Sequence, residues 1–482
     1  MRIHRMLALA VVVAAIVSGC RTTKDVLNDY EANLKAGAYL QATGEVTEYA
    51  QKSGGDQLLW ALLSGGAWHL ADNKNNAIAQ FDLAEDIFSA NDKASVFVKG
   101  GEGTMAMLTN DKAFSYDGGG EDRVFTCLYK AIDYATQGDV AAARTEFNRA
   151  AQHQENWIWE RRKDIQAAEE RLEKEAAAKE KADKADGAKR AERVSAVMND
   201  RDFCHQFVEK CRFNPFVSGD LDKLTTKDYV NAYVQHVTGV FRWINKDGGE
   251  RDMFRDAAGL TPNSAVARDL ADVEKGARPV DQVWIYAEDG LCSCREEWRV
   301  DLPLLLLPGV NRYVLYAGMA FPYLHERSAG AQNWTVSAGG TTLPLEPLAD
   351  VDKLVKTEYD VYMRGAFKRE ITRTLVKVGT QIACGVVADN VNDWRTQTAM
   401  RASQVAAAVW AASTTAADLR SWTTLPKNVF LQRVTRPADG KIQVMADAQP
   451  IDITVPPGNT MVFLHKPGPL AKPAIKLVTF RK

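Results

Sequence analysis

The residues of this chain best suited to chemistry sit in one stretch, CSCREEWRVDLP, at residues 292–303. In a strand, successive side chains alternate between faces, so Glu297, Arg299 and Asp301 share one face and Trp298 with Val300 the other. Two carboxylates on one face are the residue types of general acid–base work. An arginine set between them favours a salt-bridged ladder, with partner docking rather than catalysis as the use of the row. Cys292 and Cys294 have the composition of a redox pair. No thioredoxin-like pattern surrounds them, so structural bridging to more distant cysteines is the expectation.

Cys204, His205, Cys211 and His236 offer zinc-ligand types at a spacing that fits no standard zinc motif. A local disulfide between Cys204 and Cys211 fits better. No Gly-x-Ser-x-Gly, His-Glu-x-x-His or Gly-x-x-x-x-Gly-Lys-Ser/Thr occurs. Gly101, Gly103 and Ala106 imitate a dinucleotide loop behind the strand-like Ser95–Val98, but no βαβ period follows and a loop between helices is the reading. No cofactor, no metal and no catalytic residue is expected.

Cys20 carries a different chemistry. Arg2 and Arg5 precede an apolar run from Met6 to Val17, shorter than the roughly 20 residues a bilayer span needs and built like the core of an export signal. Val17-Ser-Gly-Cys20 resembles the bacterial lipobox, in which the cysteine thiol receives a diacylglycerol and becomes the first mature residue. Arg21 follows instead of the aspartate that marks inner-membrane retention, so the expectation is an outer-membrane lipid anchor with a periplasm-facing chain. The longest later apolar run, Leu302 to Leu307, is interrupted by Pro303 and ended by Pro308-Gly309, which argues against a span.

The elements that position these residues change character along the chain. Gly65, Trp68, Ala77, Phe81 and Ala84 have internal offsets of 0, 3, 12, 16 and 19, and Ala131, Tyr134, Ala143, Phe147 and Ala150 repeat them 66 residues later. Small residues let two antiparallel helices approach and aromatics fill the gap, which is the pattern of tetratricopeptide (TPR) repeats. Residues 154–200 are rich in Glu, Lys, Arg and Ala, with pairs such as Glu170–Lys174 and Glu175–Lys179, and read as a solvated helical arm. Asp228 to Trp243 is amphipathic and leads through Leu260-Thr-Pro-Asn263 into a degenerate third repeat. After Pro279 short β-branched and aromatic runs predict strands, a helical block covers 350–416, and strands return at 429–465. The expected organisation is an α+β multidomain chain: signal 1–19, TPR-like all-α repeats 20–153, arm 154–200, further TPR-like helices 201–278, and a mixed α/β domain with mainly antiparallel strands at 279–482. With 60 basic and 62 acidic residues the net charge is −2, so no nucleic-acid partner is expected.

Four stretches carry a resemblance to a family: TCLYKAIDYATQGDVAAARTEFNRA; DQVWIYAEDGL running into REEWRVDLPL; EYDVYMRGAFKREITRTLVKVGTQ; and AADLRSWTTLP. Scattered over residues 110–430, they resemble TPR-containing bacterial outer-membrane lipoproteins, usually encoded beside a second lipoprotein of the penicillin-binding-protein-activator or curli-secretion type. Cys292-Ser-Cys294 departs from that pattern, which has Gly-Pro-like turn residues there. The resemblance implies an envelope scaffold with a partner lipoprotein or other envelope protein and no catalysis. Arg420 and Trp422, in its most specific segment, are docking candidates, although Trp422 also suits a core. The competing reading is an enzyme acting on peptidoglycan, polysaccharide or thiols through the Glu297 cluster or the two cysteines.

Overall fold

The computed structural model describes residues 23–52, 54–98, 115–160, 230–302 and 313–480. Cys20, Cys204, Cys211 and most of the charged arm lie outside these residues. Six helices open the described chain: α1 (Thr23–Lys35), α2 (Tyr39–Ala50), α3 (Gln57–Leu70), α4 (Lys74–Val98), α5 (Gly120–Gln137) and α6 (140–160). α4 takes in Ser95–Val98, which the sequence reading made a strand. There the helix already running from Lys74 overrides the local preference of β-branched residues.

The two repeated residue sets fall on facing helices, α3 with α4 and α5 with α6. Ala77, Phe81, Ala84, Ala131, Ala143, Phe147 and Ala150 are all buried. Gly65 shows why a small residue is needed: a Cβ there would stand 2.5 Å from the Phe81 ring. Three further helices follow, α7 (Ala232–Asn245), α8 (Glu250–Ala258) and α9 (Ser264–Glu274). Asn231 and Asn263 cap α7 and α9, accepting hydrogen bonds from backbone N–H groups left over in the first turn.

The remainder is mixed. Strands β1 (Gln282–Asp289), β6 (Glu346–Asp350), β7 (Asn428–Thr435), β10 (Asn459–Lys466) and β11 (Ala474–Phe480) form one sheet in the order β11-β10-β1-β7-β6. β1 and β10 pair in parallel, and the other pairings are antiparallel. A second sheet, β5-β4-β8-β9, is built from Thr341–Pro344, Trp334–Ala338, Lys441–Ala446 and Gln449–Thr454. A separate hairpin joins β2 (Cys294–Leu302) to β3 (Ala317–His325). The run Tyr313–Tyr316, predicted as a strand, lies just ahead of β3 rather than within it. Two long helices, α10 (Val351–Asn390) and α11 (Trp394–Ser413), form the expected helical block.

Period-2 alternation sorts the central sheet into two cores. Val283, Ile285, Ala287, Val462 and Leu464 pack on the second sheet through Val336, Val444, Ile451 and Ile453. Trp284, Tyr286, Met461 and Phe463 face the other way and share one core with the helices, from Val26 on α1 to Phe241 on α7. The helical part and the sheet thus bury a common apolar interior.

That helix-facing layer also encloses charge. His69 Nδ1 lies 2.9 Å from Asp133 Oδ2, and Lys476 Nζ lies 2.6 Å from Asp133 Oδ1. Tyr233 donates to Glu288 at 2.6 Å, and His465 approaches the other Glu288 oxygen at 2.6 Å. His236 bridges Asp269 and Tyr286, while Arg433 reaches Asp269 at 2.6 Å. Partnered in this way, buried ionic groups fix which helix face meets which strand.

Candidate functional site: a cleft beside the 418–425 segment

The segment from Asp418 to Leu425 runs between the helices and the β2–β3 hairpin. Trp422 is buried, with its ring centroid 5.9 Å from Phe81 and 6.0 Å from Tyr129. α3 passes close because it offers Gly66, where a Cβ would sit 3.0 Å from Thr424 Oγ1. Cys292 N donates to Leu425 O at 2.9 Å, and Arg327 donates to the backbone of both Cys292 and Thr423. Arg420 is gripped by Asp418 through Nε at 2.7 Å and Nη2 at 2.9 Å, and by Asp56 through Nη1 at 3.0 Å. Of the two docking candidates in this segment, Trp422 is therefore core, and Arg420 is a buried cross-link whose edge lines a cleft.

That cleft has a volume of about 420 Å³. The loop 115–119 ahead of α5, the start of β2, the first turns of α10 and the 418–421 segment form its walls. Arg295 lies over the Tyr362 ring at 4.5 Å and near Tyr359 at 5.9 Å. Among the described residues no carboxylate pairs with its guanidinium. Acids in the walls have partners: Asp418 accepts from Arg420, Glu358 from Trp157 Nε1 at 3.3 Å, and Asp117 from Asn91 at 3.1 Å.

Glu121 is the exception. Its Oε2 is buried without a hydrogen-bond partner. Burial first, then the charges of Asp122 and Glu358, push its carboxyl well above the usual range. Asp122 beside it is raised to about 6 by burial, against the opposing hydrogen bonds from Gly119 N and Tyr116 Oη. Arg295 and Glu121 escaped the sequence reading. Arg295 was visible only as one more charge in the 292–303 cluster. Glu121 carried no signal beyond its place in a first helical turn.

The row on β2 has the predicted alternation. Glu297, Arg299 and Asp301 are exposed, while Trp298 stacks on Phe321 at 6.1 Å. Arg299 pairs with Asp301 at 2.8 Å and donates to the carbonyls of Thr415 at 2.6 Å and Ala412 at 3.0 Å. Tyr316 donates to Asp301. Glu297 does not complete the ladder; it accepts from Ala417 N at 2.8 Å. The row therefore anchors residues 412–417 to the hairpin.

Cys292 and Cys294 are free thiols, which corrects the bridging expected for them. Cys292 Sγ faces the Trp422 carbonyl at 3.9 Å and Cys294 Sγ the His325 carbonyl at 4.0 Å. Burial pushes the Cys292 thiol up to about 12, the opposite of what a redox thiolate requires. Elsewhere Glu85, Cys127 and Glu146 come together in a grouping of metal-ligand types. Lys130 already sits 3.0 Å from Glu85 and 3.1 Å from Glu146, and Arg149 binds both acids. Burial raises the Cys127 thiol, so the grouping is a cation-filled acidic cluster.

No protein-family model matches this chain, and neither do the curated proteins or solved structures compared with it. Among the described residues no helix is long and apolar enough to cross a membrane.

Proposed function

We propose that this chain is a non-catalytic scaffold, held by a lipid on Cys20 at the periplasmic face of a bacterial outer membrane, that binds another envelope protein. Its α3–α4 and α5–α6 pairs are read here as TPR-like units and the exposed Glu297–Arg299–Asp301 row as part of the docking rim. The observation that carries the reading is the use made of that row. Asp301 is forked by Arg299 and Glu297 accepts from Ala417 N, so the row is held rigid by the chain itself while its exposed edge stays open to a partner. The resemblance of AADLRSWTTLP and the lipobox-like Cys20 support the same class.

One observation favours the enzyme reading. Glu121 Oε2 is buried in the cleft without a hydrogen-bond partner and burial raises its carboxyl, and a carboxylic acid of raised pKa is a group able to protonate a leaving oxygen in polysaccharide cleavage. Three experiments decide. Cys20→Ala is expected to leave a soluble protein; a variant that still sediments with outer membrane would sink the lipid anchor. A folded Glu297→Ala/Asp301→Ala variant is expected to lose a crosslinked partner from membranes. If Glu121→Gln abolishes peptidoglycan turnover by the purified protein, the scaffold reading is wrong.

A further inference from the structure

We propose that the cleft between α5, β2, α10 and the 418–421 segment is a binding site for a small carboxylate ligand, a peptide C-terminus or a free organic acid. The inference does not depend on the scaffold reading, since a scaffold and an enzyme could both carry such a site.

The argument rests on which groups in the cleft have hydrogen-bonding capacity to spare. Arg295 has five N–H donors and, among the described residues, neither an ion pair nor a hydrogen bond; it rests on the faces of Tyr359 and Tyr362. Ser421 Oγ is buried without a hydrogen-bond partner. Ser293 has nothing to spare, since its N–H and its hydroxyl both lie against the Asp352 carboxylate. Glu121, with Asp122, Glu358 and Arg295 around it, has its carboxyl raised above the usual range by burial, so its own negative charge is disfavoured. Arg295 and Ser421 therefore bring donors without partners to the cleft. The wall acids, in contrast, already accept from Arg420, Trp157 and Asn91. A buried donor left unmade costs about 1–3 kcal/mol, so this asymmetry favours a ligand made of acceptors with a negative charge.

Size and shape narrow the class. A guanidinium recognises a planar carboxylate through two parallel N–H···O bonds. The volume of about 420 Å³ exceeds what an inorganic anion fills and lies within the roughly 300–1,000 Å³ of small-molecule sites. Leu324, Val355 and the Tyr359 and Tyr362 rings supply apolar wall for a carbon skeleton.

The test is calorimetric titration of the full chain with N-acetyl-alanyl-alanine, its C-terminal amide, acetate and inorganic phosphate. The free acid is expected to bind saturably and the amide at least about tenfold more weakly, the loss that follows from one charge-assisted hydrogen-bond pair. Arg295→Gln is expected to remove binding, and Arg295→Lys to leave it weakened, which separates lost recognition from lost folding. Glu121→Gln keeps the shape of the side chain without its charge and is expected to bind. Acetate competing with the peptide would assign the site to free acids as well; failure to compete would assign it to peptide termini. Equal binding of acid and amide, binding of phosphate alone, no binding at millimolar peptide, or unchanged binding by a folded Arg295→Gln would each overturn the proposal.

Discussion

Arg420 Nη1 stands 3.0 Å from Asp56 Oδ1, joining the 418–425 segment to the start of α3 across 364 residues. The same guanidinium binds Asp418, so one cation balances two acids. Arg420→Met leaves both carboxylates without their cation. Removing one partner of a buried pair typically costs about 3–5 kcal/mol. Because Asp56 remains about a third exposed, the lower end is expected, read as a shift in the urea midpoint. A loss under about 0.5 kcal/mol would show that the pair is ornamental.

Gly65 and Phe81 make a second prediction. Gly65→Ala drives a methyl to within 2.5 Å of a ring that is fully buried, so the ring or the helix must shift. Overpacking of this kind costs about 1–3 kcal/mol. Phe81→Leu in the same chain is expected to recover part of that loss, which a double-mutant cycle measures. Independent losses would place the two side chains out of contact.

Stability is expected to fall with acid, by a route that can be traced to His69. Burial foremost, together with the charge of Lys476, holds His69 below its ordinary 6.5, so the folded protein keeps it neutral. Below pH 6.5 the unfolded chain takes up a proton that the folded one refuses, and stability drops. Burial alone would raise Asp133 and Glu288, but their His and Lys partners hold both below their ordinary values, adding a further loss at lower pH. Melting of His69→Gln is expected to depend less on pH between 6.5 and 5 than melting of the parent chain.

Asp122 has the opposite sign. Its folded value of about 6 exceeds its ordinary 3.8, so its ionisation on folding is resisted and stability is lost as pH rises through that window. Asp122→Asn, which can still accept from Gly119 N and Tyr116, is expected to melt higher at pH 7 and to show no gain at pH 4. A gain that persisted at pH 4 would remove ionisation as its cause.

The free thiols predict a labelling order. Cys294 and Cys384 are partly exposed, whereas Cys127 and Cys292 are buried. Alkylation without denaturant, followed by peptide mass spectrometry, is expected to mark Cys294 and Cys384 first. Early labelling of Cys292 would mean that the contacts between Trp422 and β2 open readily.

Local patterns were readable in the sequence wherever one element supplies both sides of the signal. The small–aromatic spacing of Gly65 to Ala84 reports a helix pair because both helices lie within one short stretch. The alternation of Glu297, Arg299 and Asp301 reports strand faces for the same reason. The cleft is another matter. Glu121, Arg295, Glu358 and Ser421 meet only through topology, and no periodicity connects residues so far apart. β11 was missed because its alternation is brief and a lysine, Lys476, occupies a buried position there that only Asp133 on α5 explains. The bridging expected of Cys292 and Cys294 failed because composition gives cysteine number, while pairing needs geometry.

Strand β11 and its lead-in tie distant parts of the chain together. Tyr39 donates to Lys472 O at 2.6 Å across 433 residues, and Gly37, in a left-handed conformation, leaves room for that backbone. Lys476 on β11 is the cation that Asp133 awaits. The helical face around Gly37 and Tyr39 and the Asp133 carboxylate are thus completed by residues 471–476, in the case of Asp133 from 343 positions away. A chain cut ahead of β11 would bare apolar surface on the first helices and leave Asp133 facing His69 without a lysine. The helices and the sheet therefore fold as one cooperative unit, and neither is expected to be stable when expressed alone.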